Sequence, residues 1–246
     1  MLRLDKLLQS QGFGSRKHCQ HLIHSGQVRL NGVVYRDDRT LIQPANLLLN
    51  VAGEDWHYRD KIYIALHKPA GYECSHHTLK HHSVFSLFPA PLLNRGLQSV
   101  GRLDQDTTGL LLLTDDGQFL HALTHPRQHV PKRYHIQTSE PITPQQIARL
   151  KAGVSLHSEQ GLFCADDCQQ INERTLSMVI HQGKYHQVKR MIAAVGNHVV
   201  HLHRTQIGQL HLDTLQLTEH TWCYLTEGQI NAARTSSLPH SDNHLT

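Results

Sequence analysis

The chain has 246 residues, which is enough for one large domain or for a small domain followed by a larger one, each with a buried core. Lys and Arg number 24 against 20 Asp and Glu, so the charge of +4 is only mildly basic and its distribution matters more than its sum. No apolar run approaches membrane-spanning length. The five Cys are scattered behind an N-terminus without a secretory signal, which argues against a secreted disulfide scaffold and for reduced thiols in the cytoplasm.

The sequence of residues 1–58 predicts a small module of two helices, a hairpin and a strand. Ser15 is the expected N-cap of the second helix, after a break at Gly12. Asn31-Gly32 between two apolar pairs is the strongest short signal for a hairpin, and a further strand is expected at 47–51. The first helix is predicted from leucines at helical spacing, namely Leu2, Leu4, Leu7 and Leu8.

The first 36 residues carry six cations and a single anion, Asp5. Lys and Arg concentrated on a compact module are typical of a surface that binds phosphate, although a solvated face carries the same charges. The motifs R-L-D-K-x-L, S-R-K and G-Q-V-R-L-N-G resemble the small RNA-binding module of the ribosomal-protein-S-four type (the αL motif). The resemblance implies RNA contact by the cations of the module, namely Arg3, Lys6, Arg16, Lys17 and Arg29.

A larger domain is predicted from residue 61 to residue 232. We expect a polar linker at 53–60 before it and a disordered tail at 233–246 after it. The loop 74–82 holds one Cys and four His, which are zinc ligands in type, but no second cluster accompanies them. We therefore expect a solvated loop and no metal site there, and a structural role for the pair Cys164 and Cys168.

The most informative stretch runs from Gly101 to Gly117 and reads G-R-L-D-Q-D-T-T-G-L-L-L-L-T-D-D-G. Its four leucines between turn signals predict a fully buried strand at 109–114. The preceding turn would hold Asp104 against this core with little slack, as a site with a single carboxylate requires. A salt-bridged loop is the alternative from spacing alone. Asp106 also invites a glycosidase interpretation, but an i, i+2 pair in a turn does not establish the separation of acid and base that hydrolysis needs.

Strands outnumber helices in the remainder, and long crossover helices between strands are missing. We therefore predict an α+β domain with a mostly antiparallel or mixed β-sheet flanked by helices. A window from Gly183 to Leu212 carries four cations and no Asp or Glu, which favours a second phosphate-binding surface. The predicted strands are 63–66, 131–136, 176–180, 198–207 and 210–212, and the predicted helices are 118–125, 143–153, 186–195 and one after Thr226.

G-R-L-D-x-x-T-x-G-L-L-L-L-T-x-D-G closely resembles the active-site segment of the RsuA-type ribosomal RNA pseudouridine synthases, and K-P-x-G at 68–71 and G-K-Y-H-Q-V-K-R-M at 183–191 resemble further motifs of that family. The resemblance implies the pseudouridine synthase fold and the catalytic carboxylate Asp104. It also implies the residues that bind the substrate. The partner of the carboxylate is expected to be Lys189, with Arg190 as the second choice. Tyr134 is expected to contact the target base, Arg102 to lie beside the extruded nucleotide, and Leu210 to pack under the site.

Isomerisation of uridine requires the base to leave its stack, and a single ionised carboxylate suits the step as nucleophile or as proton acceptor. A cation within about 4–6 Å helps to keep such a carboxylate ionised. The His before Gln in K-Y-H-Q-V-K-R-M resembles the small-subunit enzymes of the family, which implies a uridine of 16S ribosomal RNA as the target, without metal or other cofactor. We expect a cytoplasmic monomer that binds ribosomal RNA, or a small-subunit assembly intermediate, and no membrane. A large-subunit target and a non-catalytic assembly factor remain the alternatives.

Overall fold

The computed structural model describes residues 1–125, 128 and 130–236, and these divide into two compact units. The first unit comprises Met1–Ile62 and Phe85–Gln98, and the second comprises Tyr63–Val84 and the chain from Ser99 onward. Most of the expected tail, 237–246, lies outside the described residues.

The first unit has a leucine-rich core to which two of its three helices and its small sheets contribute. Leu4, Leu7 and Leu8 are fully buried there, as their helical spacing predicts. Ser15 caps the second helix by accepting a hydrogen bond from the His18 backbone. The elements are β1 (Leu2–Arg3), α1 (Leu4–Ser10), α2 (Arg16–His24), β2 (Val28–Leu30), β3 (Val33–Val34), β4 (Leu41–Ile42), β5 (Leu48–Val51), β6 (Glu54–His57) and α3 (Ala90–Asn94).

Two sequence expectations for this unit are wrong. Leu2 is not helical, because it pairs in β1 with Ile42 of β4, and the helix begins two residues later. The expected linker at 53–60 contains the strand β6, which pairs along its whole length with β5. Ala52 and Gly53 form the connecting turn with φ of 51° and 93°, and Trp56 packs on the core of the unit. Tyr58 packs on the same core, so the polar composition of this stretch concealed two aromatic side chains that contact the core.

The second unit is built on a mixed sheet with the strand order β15-β16-β12-β17-β11-β7-β19. Neighbours along this path are antiparallel except β11 and β17, which are parallel. The strands are β7 (Tyr63–Lys68), β8 (Tyr72–Glu73), β9 (His82–Ser83), β10 (Gln98–Ser99), β11 (Thr108–Thr114), β12 (Lys132–Thr138), β13 (Val154–Ser155), β14 (Leu162–Phe163), β15 (Asp167–Asn172), β16 (Thr175–Ile180), β17 (Val199–Ile207), β18 (Leu210–His211) and β19 (Trp222–Tyr224).

Among the described residues of this unit, four α-helices accompany the sheet. Thr143 and Thr226 each form a capping box with the Gln three residues later. The sequence predicts both helix starts, at Thr143 and after Thr226. The helices are α4 (Gly117–Thr124), α5 (Pro144–Ala152), α6 (Gln187–Ala194) and α7 (Glu227–Arg234), and a short 3-10 turn lies at Asp213–Leu215. A second 3-10 turn, Val84–Leu87, belongs to the first unit except for Val84. The predicted α+β class with a mixed, mostly antiparallel sheet is confirmed.

The leucine run of β11 is buried on both faces, as expected, and it runs beside β17 at unusually close range. Gly109 pairs with Arg204, and its backbone has a φ of 105°. A Cβ at this position would lie 2.3 Å from the Arg204 carbonyl oxygen. Only glycine therefore allows the parallel pair to form at this point.

Candidate active site

Asp104 lies in the loop that precedes β11, and a lysine at the end of β7 fixes the backbone of that loop. Lys68 is fully buried. Gly71, in the same K-P-A-G turn, donates its backbone N–H to the Gln105 carbonyl at 2.7 Å. The K-P-A-G turn therefore positions the loop that carries the carboxylate. The Lys68 ammonium donates to the carbonyl oxygens of Pro69 at 2.9 Å, Gln105 at 3.2 Å and Thr107 at 2.8 Å.

Burial lowers the pKa of Lys68 to about 8, although the Cys74 thiol and the carboxylates of Asp106 and Asp104 act in the opposite direction. Three carbonyl dipoles satisfy the three donors of the ammonium, so the charge is solvated by the backbone of the K-P-A-G turn and of the loop that carries Asp104. The motif predicted a turn at this place. The direction of the side chain could not be predicted, because it depends on the pairing of β7 with β11.

Helix α6 brings a cation and a histidine to the carboxylate. Lys189 Nζ lies 3.1 Å from Asp104 Oδ2 and 2.6 Å from Asp106 Oδ1. His186 Nε2 lies 3.4 Å from Asp104 Oδ1. Burial opposes ionisation of Asp106, but the hydrogen bond from Lys189 outweighs it and lowers the pKa of that carboxyl. Partial burial likewise acts to lower the pKa of Lys189, and the bonds to both carboxylates outweigh it and raise that pKa.

His186 adopts an unusual backbone conformation at the start of α6. It is left-handed, with φ of 49° and ψ of 31°, which costs about 1–3 kcal/mol for a residue other than glycine. The conformation turns its ring toward Asp104, and the ring stacks on that of Tyr185 with centroids 3.8 Å apart. Tyr185 itself is 70% exposed. Such strain is expected where the surroundings fix a side chain for function.

Asp104 lines a cavity of about 430 Å³ that opens over the sheet. The volume lies in the usual range for small-molecule sites. Tyr134, from the centre of β12, is buried and lines the same cavity. A second cavity of about 620 Å³ shares Arg102 and Asp104 with the first and extends toward Glu73 and Tyr185. The two together form a cleft that passes the carboxylate.

The floor of the smaller cavity carries two cations that sequence reasoning did not place in the site. Arg204, from β17, is 3% exposed and donates through Nε to the Leu110 carbonyl at 2.7 Å and through Nη1 to the Tyr134 hydroxyl at 3.5 Å. Lys132, from β12, donates to the Val130 carbonyl at 2.8 Å. Burial, assisted by the charge of Arg204, lowers the pKa of Lys132 to about 8. The basic window 183–212 contained the signal for Arg204, but the face it occupies depends on strand register.

The remaining residues expected at the site divide into two groups. Arg102 is exposed and lines both cavities beside Asp104. Arg190 points elsewhere: its guanidinium lies 3.7 Å from Glu159 and donates to the backbone carbonyls of Tyr185 and His157.

Leu210 is buried in a cluster with Val130 and Ile207. These two residues line the smaller cavity, so Leu210 packs behind the residues of the cavity wall.

The expected RNA-binding residues of the first unit also divide. Lys6, Lys17 and Arg29 are exposed. Arg3 and Arg16 bind the buried carboxylate of Asp5 at 3.0 Å and 2.8 Å, and Arg3 also reaches Asp38 at 3.2 Å. Burial acts to raise the pKa of Asp5, but hydrogen bonds from Arg16, Gln20, the Lys6 backbone and Arg3 outweigh it and lower that pKa to about 2.

The histidine-rich loop does not gather a ligand set. Across the part of the chain that the structure describes, no three His, Cys, Asp or Glu side chains come together as a metal site. All five Cys are free thiols. Within the same described ranges, no helix has the length and apolar character needed to cross a membrane.

Comparison with known proteins agrees with this geometry. Residues 62–194 match the family model for RNA pseudouridylate synthase, and residues 2–46 match that for the S4 domain. The chain belongs to the RNA pseudouridylate synthase family. A protein named ribosomal small subunit pseudouridine synthase A from Vibrio cholerae serotype O1 is 37% identical over 230 residues, covering 93% of this chain and 98% of the relative. The protein of the same name from Escherichia coli K12 is 36% identical over 229 residues, with 93% and 98% covered.

A crystal structure of a pseudouridylate synthase superposes on this member of the family with a TM-score of 0.67. It is 33% identical in sequence, and the match covers 95% of this chain and 100% of that chain. The predicted enzyme class, a pseudouridine synthase with an S4-type RNA-binding module, is therefore confirmed, and the chain binds RNA.

Proposed function

We propose that this synthase converts a uridine of 16S ribosomal RNA to pseudouridine, with Asp104 as the catalytic carboxylate. One observation carries the proposal: Asp104, bound by Lys189, and the ring of Tyr134 line one cavity large enough for a nucleoside. The choice of 16S ribosomal RNA is supported by the relatives, 36–37% identical over nearly the whole chain, whose names specify the small subunit.

The mechanism begins with extrusion of the uridine from its stack into the cleft, because a stacked base cannot turn. Tyr134 then offers a stacking face to the base, and Arg102 at the mouth of both cavities occupies the space beside the extruded nucleotide. The N1–C1′ bond breaks, with its electron pair going to the base. Asp104 acts on the ribose as nucleophile or proton acceptor. The base turns and C5 bonds to C1′, with release of Asp104 from the ribose if it has acted as nucleophile. The hydrogen on C5 then leaves as a proton, and N1 takes up a proton, so the base is again neutral.

The loop contacts explain how one carboxylate can be held for this chemistry. Lys68 binds the backbone that follows Asp104, at Gln105 and Thr107, and Lys189 with His186 contacts the two oxygens of the carboxylate. The carboxylate therefore needs little reorganisation when the ribose arrives. The isomerisation breaks and forms bonds within one nucleoside, so its atoms balance without a cofactor.

We assign the RNA contacts of the first unit to Lys6, Lys17 and Arg29, which are exposed. Replacing all three with Ala should weaken RNA binding and reduce the slope of log K against log salt by about 2–3, since each phosphate contact contributes roughly 0.7–0.9. Lys151→Ala, an exposed cation of the second unit, serves as the control. An unchanged slope in the triple variant contradicts this assignment.

We further propose that the enzyme acts as a monomer in the cytoplasm, on ribosomal RNA or an assembly intermediate of the small subunit. The free thiols support a reducing compartment. The oligomeric state is testable by light scattering of the purified protein, where a mass near 28.0 kDa is expected.

The decisive experiment measures tritium release from 16S ribosomal RNA labelled at uridine C5, with wild type and Asp104→Asn. We expect release with wild type, at least about 10³-fold less with the variant, and similar RNA affinity for both. Mapping of pseudouridine in a deletion strain identifies the target. A missing site in large-subunit RNA refutes the choice of 16S, and RNA binding without any release by wild type refutes the reaction.

A further inference from the structure

Arg204 is a buried cation with an unsatisfied hydrogen-bond donor. Its Nη2 is buried without a hydrogen-bond partner among the described residues. Nor does any carboxylate in those ranges form an ion pair with its guanidinium. Buried polar groups are almost always satisfied, and leaving a charged donor unpaired is especially unfavourable. An unpaired charged donor that lines a cavity therefore indicates that a ligand completes it.

The surroundings of Arg204 favour a ligand that carries or gains negative charge. Lys132 lines the same cavity, and one of its three donors is used by the Val130 carbonyl. Lys68 is close enough for the charge of Arg204 to oppose its protonation. Asp104, the carboxylate on the cavity wall, is bound by Lys189. The floor of the cavity therefore has a positive charge that no protein anion there neutralises.

We propose that Arg204, assisted by Lys132, forms a subsite for a carbonyl oxygen of the extruded uracil and stabilises the negative charge that this ring gains when its bond to ribose breaks. This inference rests on the proposed function. When N1–C1′ breaks, the electron pair moves to N1 and is shared with the ring carbonyl oxygens. Arg204 Nη2–H donates to one of these oxygens throughout, and no proton is transferred.

The fixed geometry of the guanidinium suits this role. Its Nε is held by the Leu110 carbonyl on one neighbouring strand, and its Nη1 is held by the Tyr134 hydroxyl on the other. The guanidinium is therefore held in place beside the cavity before the substrate enters, and Nη2 is the nitrogen left without an acceptor among the described residues. Preorganised donors of this kind lower the barrier because they need no rearrangement as charge develops, and removing one typically costs about 10²–10³-fold in kcat.

A leaving-group experiment tests the subsite. Once the target uridine is mapped, two RNAs are prepared by ligation, with uridine or 5-fluorouridine at that position only. Fluorine withdraws electrons and stabilises the departing ring, so it should reduce the need for Arg204. Loss of the original nucleoside is followed by mass spectrometry of nuclease digests under single-turnover conditions, for wild type, Arg204→Met and the control Arg133→Met. Arg133 is a half-buried arginine of the same sheet that contacts Asp167 and Ser177 and does not line the cavity.

We expect Arg204→Met to slow uridine conversion about 100-fold and to change KM little. The factor by which it slows 5-fluorouridine conversion should be at least about ten times smaller. Arg133→Met should stay within about twofold of wild type. Equal penalties on both substrates, or none, overturn the subsite but leave the proposed function intact. No conversion by wild type overturns both. Should Arg204→Met fail to fold, Arg204→Lys, which lacks a second terminal nitrogen, is measured in the same way, and equal penalties again overturn the subsite.

Discussion

Gly109 offers the sharpest test of how the site is assembled. The change Gly109→Ala places a Cβ 2.3 Å from the carbonyl oxygen and 2.7 Å from the nitrogen of Arg204. Ordinary contacts of a Cβ begin at 3.4 Å, so the strands β11 and β17 must separate by about 1 Å. Gly196→Ala is the matched control, because Gly196 also has a positive φ, of 84°, but nothing lies within 4 Å of its added Cβ.

The expected magnitudes follow from these distances. Both variants place alanine in a left-handed conformation, which costs about 1–2 kcal/mol. Gly109→Ala adds overpacking of about 1–3 kcal/mol and weakens the pairing of Gly109 with Arg204, worth about 1 kcal/mol for each hydrogen bond lost. We therefore expect Gly109→Ala to reduce the free energy of unfolding by about 3–6 kcal/mol, which is about 2–4 kcal/mol more than the control.

The assay is thermal unfolding followed by circular dichroism, with tritium release measured well below both midpoints. For a protein of this size the difference corresponds to a Tm lower by roughly 5–15 °C than that of Gly196→Ala. Activity should fall in Gly109→Ala even where it is folded, since Arg204 moves with its backbone, and should persist in Gly196→Ala. Equal Tm values for the two variants would refute the close approach as the reason for glycine.

Two further predictions follow from charge. Lys189→Met should lower kcat at least about 10²-fold because it removes the cation that bridges Asp104 and Asp106, whereas Arg190→Met should stay within about fivefold, and equal losses in tritium release would contradict the geometry. Asp5 has a pKa lowered to about 2, so its contribution to stability, at most about 2 kcal/mol, is present above about pH 4 and lost as pH falls toward 2. Between pH 5 and pH 2 the free energy of unfolding, measured by urea titration, should therefore fall less for Asp5→Asn than for wild type. Parallel curves of this free energy against pH would show that Asp5 is not the group involved.

Local patterns predicted much of this molecule. The buried run of β11, the helix caps at Ser15 and Thr143 and the Asn31-Gly32 hairpin depend on neighbouring residues, so the sequence contains all that is needed to recognise them. The place of Asp104 before a buried strand follows from the same kind of signal.

Features set by distant pairing could not be predicted. Lys68 and Arg204 face the site only because β7 and β17 flank β11 in one register, and a shift of one residue would turn both side chains to the other face. The charge count of the first unit likewise overstated its unpaired cations, because Arg3 and Arg16 both bind the buried carboxylate of Asp5. A count of charges contains no information on which of them face each other.

The parallel pair β11 and β17 has a consequence for synthesis of the enzyme. Arg204 and its acceptor, the Leu110 carbonyl, are separated by 94 residues along the chain. A growing polypeptide that has exposed only the G-R-L-D segment therefore has its carboxylate but lacks the cavity floor, and closing so long a loop is slow compared with forming hairpins. Catalytic activity should thus appear late, after β17 has left the ribosomal exit tunnel. The time at which turnover is first detected therefore reports when the sheet is complete.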